Sequence, residues 1–430
     1  MKSYPISKEF RLIRNFTPPL TTPLLPVCNL FLEGMALGVR SNKAVTITRF
    51  ALPTDDGHRL PCLLIEPKDT KGQKLPGLVY FHGGGFVLAA APYHFALAKT
   101  YAAGARCRVI CPDYRLAPKH PYPIPEQDCQ LAYNWTVENA ERLGIDPLRI
   151  AIGGDSAGGC LAQRVTATAA AKGHAPLFQL LVYPVVDPTM ATPSMQTYVD
   201  TPLWNGRLSK KMWQWYLKGA QAAPNPQAAL PPTYIETAEF DCLHDEGSQL
   251  AQQLTAAGVP VTLRQTKGTV HGYDILLHAP HHPGERGRST FVYAKPIPAK
   301  IKRGGSKPPL YYPFSQPKYT KNRLTYRSSG SLFMHLYRYI LHCVHRHTVP
   351  IIHPGHPAGN AAGQLIIEAV RQTGHFLHTE GFVTVRSHQG YRRTYLHTGY
   401  LRHVHHKLVH THTPENRCAL AANEHLAHAG

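Results

Sequence analysis

The chain has 430 residues and a formal net charge of +20, with 43% apolar residues, nine cysteines and 27 histidines. That length holds one large domain or a few small ones with a sizeable core, and the absence of any 18-residue apolar run excludes a membrane-spanning helix by sequence. The charge does not by itself argue for an anionic partner, because it is uneven: residues 1–275 hold 26 basic and 21 acidic residues, while residues 276–430 hold 20 basic residues, five Glu and no Asp.

In chain order, a Pro-rich opening contains one helical stretch, 28–37. Strand-like runs follow at 44–52, 60–67 and 77–82. A helix is expected at 94–103 and a strand at 107–114. The run 126–144 reads as a helix closed by Gly144, and 160–173 as one closed by Gly173. Between them, 149–159 reads as a strand entering a turn. Further strands are expected at 178–186, 232–241 and 260–268, with a helix at 245–258. Strands that are apolar throughout and alternate with helices predict an α/β fold with a mostly parallel central sheet covered on both faces. In such sheets ligands gather at the carboxyl ends of the strands. The cysteines form no close, regular framework, which reads as reduced thiols in a cytoplasmic protein.

"GGDSAGG" (153–159) places Gly154-x-Ser156-x-Gly158 between a strand and a helix, the setting of a nucleophile elbow. A serine needs a base, and the base an orienting acid. Downstream of Ser156 and before the basic tail stand His174, His244 and His271. His271, just after the last strand, is the expected base. His174 follows a helix-closing glycine and reads as exposed, and His244 sits in the acid loop. In "AEFDCLHDEG", Asp241 directly follows a strand and is the expected acid; Asp245 is the alternative, with helix capping as its ordinary role, and Glu239 lies within the strand. "HGGGF" (82–86) presents bare backbone after an early strand. Its Gly83 and Gly84, with Ala157 after the serine, are the expected N–H donors to a carbonyl oxygen that gains negative charge. His82 is expected to pin that loop by hydrogen bonds.

Taken in order, "HGGGF", "DYRLAPKHPYP" (113–123), "GGDSAGG", "AEFDCLHDEG" and "VHGYD" (270–274) resemble the hormone-sensitive-lipase-like carboxylesterases and lipases of the α/β-hydrolase fold. The resemblance spans residues 1 to about 278. It implies Ser156 as nucleophile, Asp241 as acid, His271 as base, Gly83, Gly84 and Ala157 as oxyanion donors, a small-molecule ester substrate and neither metal nor organic cofactor. It also implies a catalytic domain over 41–283 and a cap built from 1–40 and 188–225. Phe86, Trp204 and Trp213 are the expected substrate-binding residues, from an apolar wall suited to a small-to-medium acyl group. Lys119 and Cys160 stand where the family usually has Glu and Asn, and the helical pattern of the family's end stops after His278.

Residues 284–430 show no recognisable fold pattern. Their basic and aromatic interleaving is a feature of nucleic-acid binders, and His342, Cys343, His345 and His347, or His403, His405 and His406, are the residues a metal would take. Neither set has a metal-binding spacing, nucleic acid is not expected as a partner, and the composition reads as a sequence not selected to fold, such as a frame-shifted read-through. The alternatives to the enzyme are a non-catalytic small-molecule binder on the same fold, or a basic tail that gives nucleic-acid binding.

Overall fold

A computed structural model of the chain describes residues 4–18, 20–70, 72–222 and 229–275. The expectations for the basic tail and its candidate metal ligands lie outside the described residues.

Eight strands form one sheet: β1 (Val45–Pro53), β2 (Arg59–Pro67), β3 (Leu75–Phe81), β4 (Arg108–Pro112), β5 (Ile145–Asp155), β6 (Gln179–Val182), β7 (Thr233–Phe240) and β8 (Val261–Val270). Their order is β1-β2-β4-β3-β5-β6-β7-β8. β1 and β2 are antiparallel, as are β2 and β4, and every pair from β4 to β8 is parallel. The two-residue alternation of β2 suits a strand with one open face, whereas every residue of the central β3 is buried, so β3 is an unbroken apolar run.

Around the sheet lie α1 (Leu25–Leu37), α2 (Pro92–Ala105), α3 (Ile124–Glu138), α4 (Ala157–Ala171), α5 (Pro193–Thr197), α6 (Gly206–Leu217) and α7 (His244–Ala256). Two sequence expectations need correction. The helix expected to reach Gly144 ends at Glu138. The chain then turns, and Gly144 (φ +66°) serves the entry to β5, where a side chain would strike the Arg108 guanidinium. The strand expected over 178–186 ends at Val182, because Tyr183 (φ +34°) and Pro184 take the chain out of the ladder. Gly173 (φ +79°) closes α4 as expected.

The amphipathic stretch before β7 forms α6, started by the Asn205 side chain, which accepts the Leu208 N–H. Ser209, Met212, Trp213 and Tyr216 recur at helical spacing and are buried. The N-terminal segment meets this region: the Leu203 N–H donates to Phe16 O at 2.7 Å, and Tyr4 Oη to Asp200 at 2.7 Å. Asn29 of α1 binds the backbone of Val87 and Ala89, holding the segment after the three glycines from above. Among the described residues, seven cysteines are free thiols, no helix is long and apolar enough to cross a membrane, and no group of three or more His, Cys, Asp or Glu is placed to hold a metal.

Candidate active site

The ends of β3, β5, β7 and β8 bring four distant segments together. β5 runs into α4 through Ser156, whose φ of 54° and ψ of −119° are sparsely populated for a side-chain-bearing residue. The turn is held from outside: the Ser156 N–H donates to Val182 O at 2.8 Å, and its carbonyl accepts from Val185 at 3.0 Å. A side chain at Gly154 would collide with the backbone of Gly158, and one at Gly158 with the carbonyl of Phe81. Both glycines are therefore required by the tightness of the turn.

His271 follows β8 directly. Its Nε2 lies 2.8 Å from Ser156 Oγ and its Nδ1 2.8 Å from Asp241 Oδ2. A carboxylate only accepts, so Nδ1 carries the proton and Nε2 is left to accept from the serine. The other oxygen of Asp241 accepts the Leu243 N–H at 2.9 Å, which fixes the carboxylate plane. All three residues are buried. The other candidates fall elsewhere. His174 is exposed, and His244 pairs with Asp245 at 2.9 Å. Asp245 is not the cap of α7 but sits in its first turn, where its carboxylate accepts the Ser194 N–H of α5 at 2.7 Å. Glu239 accepts from Gly268 at 2.6 Å.

Each of the three loop glycines is required for a different reason. A side chain at Gly83 would run into Asp155, at Gly84 (φ +122°) into Leu88 O, and at Gly85 (φ +61°) into the Trp204 ring. The expectation for Gly83 is corrected: its N–H already donates to Asp155 Oδ1 at 3.0 Å and is spent. The N–H groups of Gly84, Gly85 and Ala157 have no acceptor among the described residues, and Ala157 opens α4, whose first N–H groups have no partner within the helix.

Asp155, within a motif read only for its serine, is the residue the sequence reading missed. Fully buried, it accepts from Tyr80 Oη at 2.7 Å as well as from Gly83, and faces His94 Nε2 at 3.3 Å. Burial pushes its carboxyl up, but the attraction of His94 and the Tyr80 hydrogen bond outweigh this and hold it below the ordinary range. An acid directly after the apolar run 150–154 at the end of β5 was the available signal. His82 does pin the loop, though by one bond: its Nδ1 donates to Gly83 O at 2.7 Å, its ring stacks on Tyr114, and burial lowers it to about 4, leaving it neutral.

The candidate substrate wall divides. The Trp204 ring lies against Gly85 and 6.1 Å from the His271 ring. Phe86 has no exposed surface. It stacks on Tyr216 at 3.8 Å and lies 5.9 Å from Trp213, so its expected substrate contact is replaced by a core role that seats α6 on the glycine loop.

Asp274, three residues past His271, is a second buried acid, bonded by Tyr183 Oη at 2.5 Å. Burial, then the nearby Asp155 charge, raises it to about 7, with Glu236 pushing the same way and Tyr183 and His94 opposing. The folded state thus keeps a proton that the unfolded chain releases near pH 4. The stability this gives is complete below about pH 4 and is lost as pH rises through about 7. Asp274→Asn, which has no charge to bury, is expected to raise Tm over wild type at pH 8 and to flatten the fall of Tm between pH 5 and 8 by calorimetry. A variant with a lower Tm at pH 8 would contradict this account.

A mostly parallel sheet, a serine on a strained strand-to-helix turn and a histidine delivered after the last strand define an α/β hydrolase. Residues 78–275 match a family described as having the alpha/beta hydrolase fold. The chain is 40% identical over 212 residues to "Carboxylesterase NlhH" of Mycobacterium tuberculosis, covering 46% of this chain and 66% of that protein, so it spans just under two thirds of that relative's length. It is 35% identical over 256 residues to "Ethyl acetate hydrolase" of Pseudomonas putida, covering 56% of this chain and 80% of that one. Among solved structures, esterase LipW from Mycobacterium marinum aligns with a TM-score of 0.60 and 30% identity, over 67% of this chain and 94% of that chain. A bacterial heroin esterase aligns with a TM-score of 0.61 and 31% identity, over 68% and 98%. The chain belongs to the hormone-sensitive-lipase-like carboxylesterase family of α/β hydrolases.

Proposed function

We propose that this chain hydrolyses carboxylic esters with small-to-medium acyl groups, using Ser156 as nucleophile, His271 as base and Asp241 as orienting acid. The observation that carries the proposal is the continuous Ser156–His271–Asp241 hydrogen-bond chain with both contacts at 2.8 Å. Ser156 Oγ attacks the ester carbonyl carbon as its proton passes to His271 Nε2. The carbonyl oxygen becomes an oxyanion, received by the N–H groups of Gly84, Gly85 and Ala157. The intermediate collapses by breaking the bond to the alkoxy oxygen, which takes the proton from His271 and leaves as the alcohol. A water then attacks the acyl-serine, giving its proton to His271, and the second collapse returns that proton to Ser156 and releases the carboxylic acid. Asp241 balances the positive imidazolium in both halves. No cofactor enters any step.

The residues before α1 and the α5–α6 segment serve as the cap, and Trp204 is the cap residue placed against the reacting groups. A small acyl group is in keeping with the Pseudomonas putida relative, an ethyl acetate hydrolase. The free thiols suit a cytoplasmic setting.

The test is covalent labelling by a fluorophosphonate, followed by turnover of p-nitrophenyl esters of increasing acyl length. A chain that neither labels nor turns over the acetate ester is a binder on a hydrolase fold. Within this reading, Gly85→Ala is expected to lower kcat by about 100-fold, the scale of one misplaced oxyanion donor. The added methyl meets both an unfavourable backbone conformation and the Trp204 ring. A kcat within a few-fold of wild type would remove Gly85 from the donor set.

A further inference from the structure

The loop that carries Gly84 and Gly85 runs from Gly83 to Ala91, where α2 begins. Its two ends meet on one carboxylate. At the near end the Gly83 N–H donates to Asp155 Oδ1 at 3.0 Å. At the far end the Ala91 N–H donates to His94 Nδ1 at 2.9 Å, and His94 Nε2 lies 3.3 Å from Asp155 Oδ2. The directions are forced. A ring nitrogen that accepts a backbone N–H carries no proton, so the His94 proton sits on Nε2 and points to a carboxylate that only accepts. Tyr80 Oη of β3 adds a third donor to Asp155, at 2.7 Å from Oδ1. Asp155 and His94 are both buried, away from competing water.

Asp155 is also the last residue of β5 and stands directly before Ser156. The carboxylate that closes the loop is therefore fixed to the strand end that presents the nucleophile. Elsewhere the loop is held differently. The Val87 and Leu88 N–H groups donate to Gly84 O, and Asn29 ties Val87 and Ala89 to α1. Those bonds set the curve of the loop and its contact with α1, whereas the bonds to Asp155 set its two ends against Ser156. An oxyanion donor helps only where it already points at the oxygen that gains charge, and small misplacements are costly in rate.

We propose that Asp155 and His94 are positioning residues that staple both ends of the loop 83–91 to the nucleophile's strand, so that one carboxylate sets the loop N–H groups and Ser156 together. This rests on the ester-hydrolase reading for its kinetic consequence, though not for its structural one. Neither residue touches substrate. Their effect runs through the placement of the Gly84 and Gly85 N–H groups, and so through kcat rather than KM.

The test uses the full chain and four variants: His94→Leu, His94→Gln, Asp155→Asn, and the double variant His94→Leu with Asp155→Asn. Leucine makes neither bond of His94. Glutamine at the third position of a helix can cap the Ala91 N–H with its oxygen and offer its NH₂ group to Asp155. The asparagine at 155 has a single oxygen. With that oxygen on Gly83, its NH₂ group faces His94 Nε2–H, which must move its proton to Nδ1 and release Ala91. With the oxygen on His94, the NH₂ group faces the Gly83 N–H. Either way one end of the loop is freed. Two readouts are taken: site-resolved hydrogen–deuterium exchange at the Gly83 and Ala91 amides, which requires no turnover, and kcat and KM on p-nitrophenyl acetate. In His94→Leu the Ala91 amide is expected to exchange at least about tenfold faster, the scale of one hydrogen bond. Its kcat should fall about 10-fold with KM within about twofold, short of the roughly 100-fold cost of losing an oxyanion donor outright. His94→Gln should recover most of both. Asp155→Asn should speed exchange at one end and lower kcat by a similar factor. The double variant should cost no more than the worse single one, because without His94 the amide oxygen is free to keep Gly83. If Asp155→Asn fails to fold, the contrast between His94→Leu and His94→Gln decides alone. The proposal is overturned by unchanged Ala91 exchange in His94→Leu, by losses confined to Tm, by a rise in KM at constant kcat, by His94→Gln behaving no better than His94→Leu, or by additive single losses. Exchange that follows this pattern in a chain that turns over no ester would sink the hydrolase reading and leave the staple standing.

Discussion

Replacing Ser156 with Ala is expected to abolish fluorophosphonate labelling and to cut kcat on p-nitrophenyl acetate by at least about 10,000-fold, the usual scale of removing a triad nucleophile. The loss should be chemical and not structural. Alanine meets the same unfavourable backbone conformation as serine, and the bonds that hold the turn, Ser156 N–H to Val182 O and Val185 N–H to Ser156 O, belong to the backbone and survive the substitution. Thermal unfolding of the variant should therefore stay close to wild type. Residual activity above about one per cent of wild type would exclude Ser156 as the nucleophile, because a triad without its serine retains far less than that.

Asp241→Asn is expected to lower kcat by about 10,000-fold, whereas Asp245→Asn should cost less than tenfold. The asparagine at 241 can offer its NH₂ group to His271 Nδ1, which turns the imidazole proton to Nε2 and removes the acceptor that Ser156 needs. At 245 the amide oxygen still accepts the Ser194 N–H, and only the half-exposed pairing with His244 is weakened, an interaction worth little. Parallel kcat measurements on the two variants make the comparison. A larger loss at 245 than at 241 would transfer the acid role and break the geometric argument, since it is Asp241 that lies 2.8 Å from His271.

The two carboxylates also show how far sequence reasoning reached. Asp241 was separable from Asp245 because it directly follows a strand, and strand ends in a parallel sheet converge on one rim. The same logic found Ser156 after β5 and His271 after β8. It failed where a residue's task depends on a neighbour far along the chain. Gly83 looked like a donor because a glycine offers bare backbone. Its N–H is instead taken by Asp155, 72 residues away, and the loop N–H groups left without an acceptor among the described residues are those of Gly84 and Gly85. Phe86 looked like a substrate contact because it is aromatic beside the loop, yet the Tyr216 ring from the cap covers it.

Local signals carried the strand and helix order, the elbow and the strand-end placement of Ser156, Asp241 and His271, because hydrophobic period, helix-closing glycines and strand ends are properties of short segments. Tyr183 and Pro184 ended β6 sooner than its apolar run implied, since the chain there turns to brace Ser156. The reasons for the individual glycines and the buried acids Asp155 and Asp274 were decided only in three dimensions. Each depends on which side chain fills a given space, and in a close-packed interior that occupant comes from whichever segment the fold lays alongside, at a separation no local pattern records.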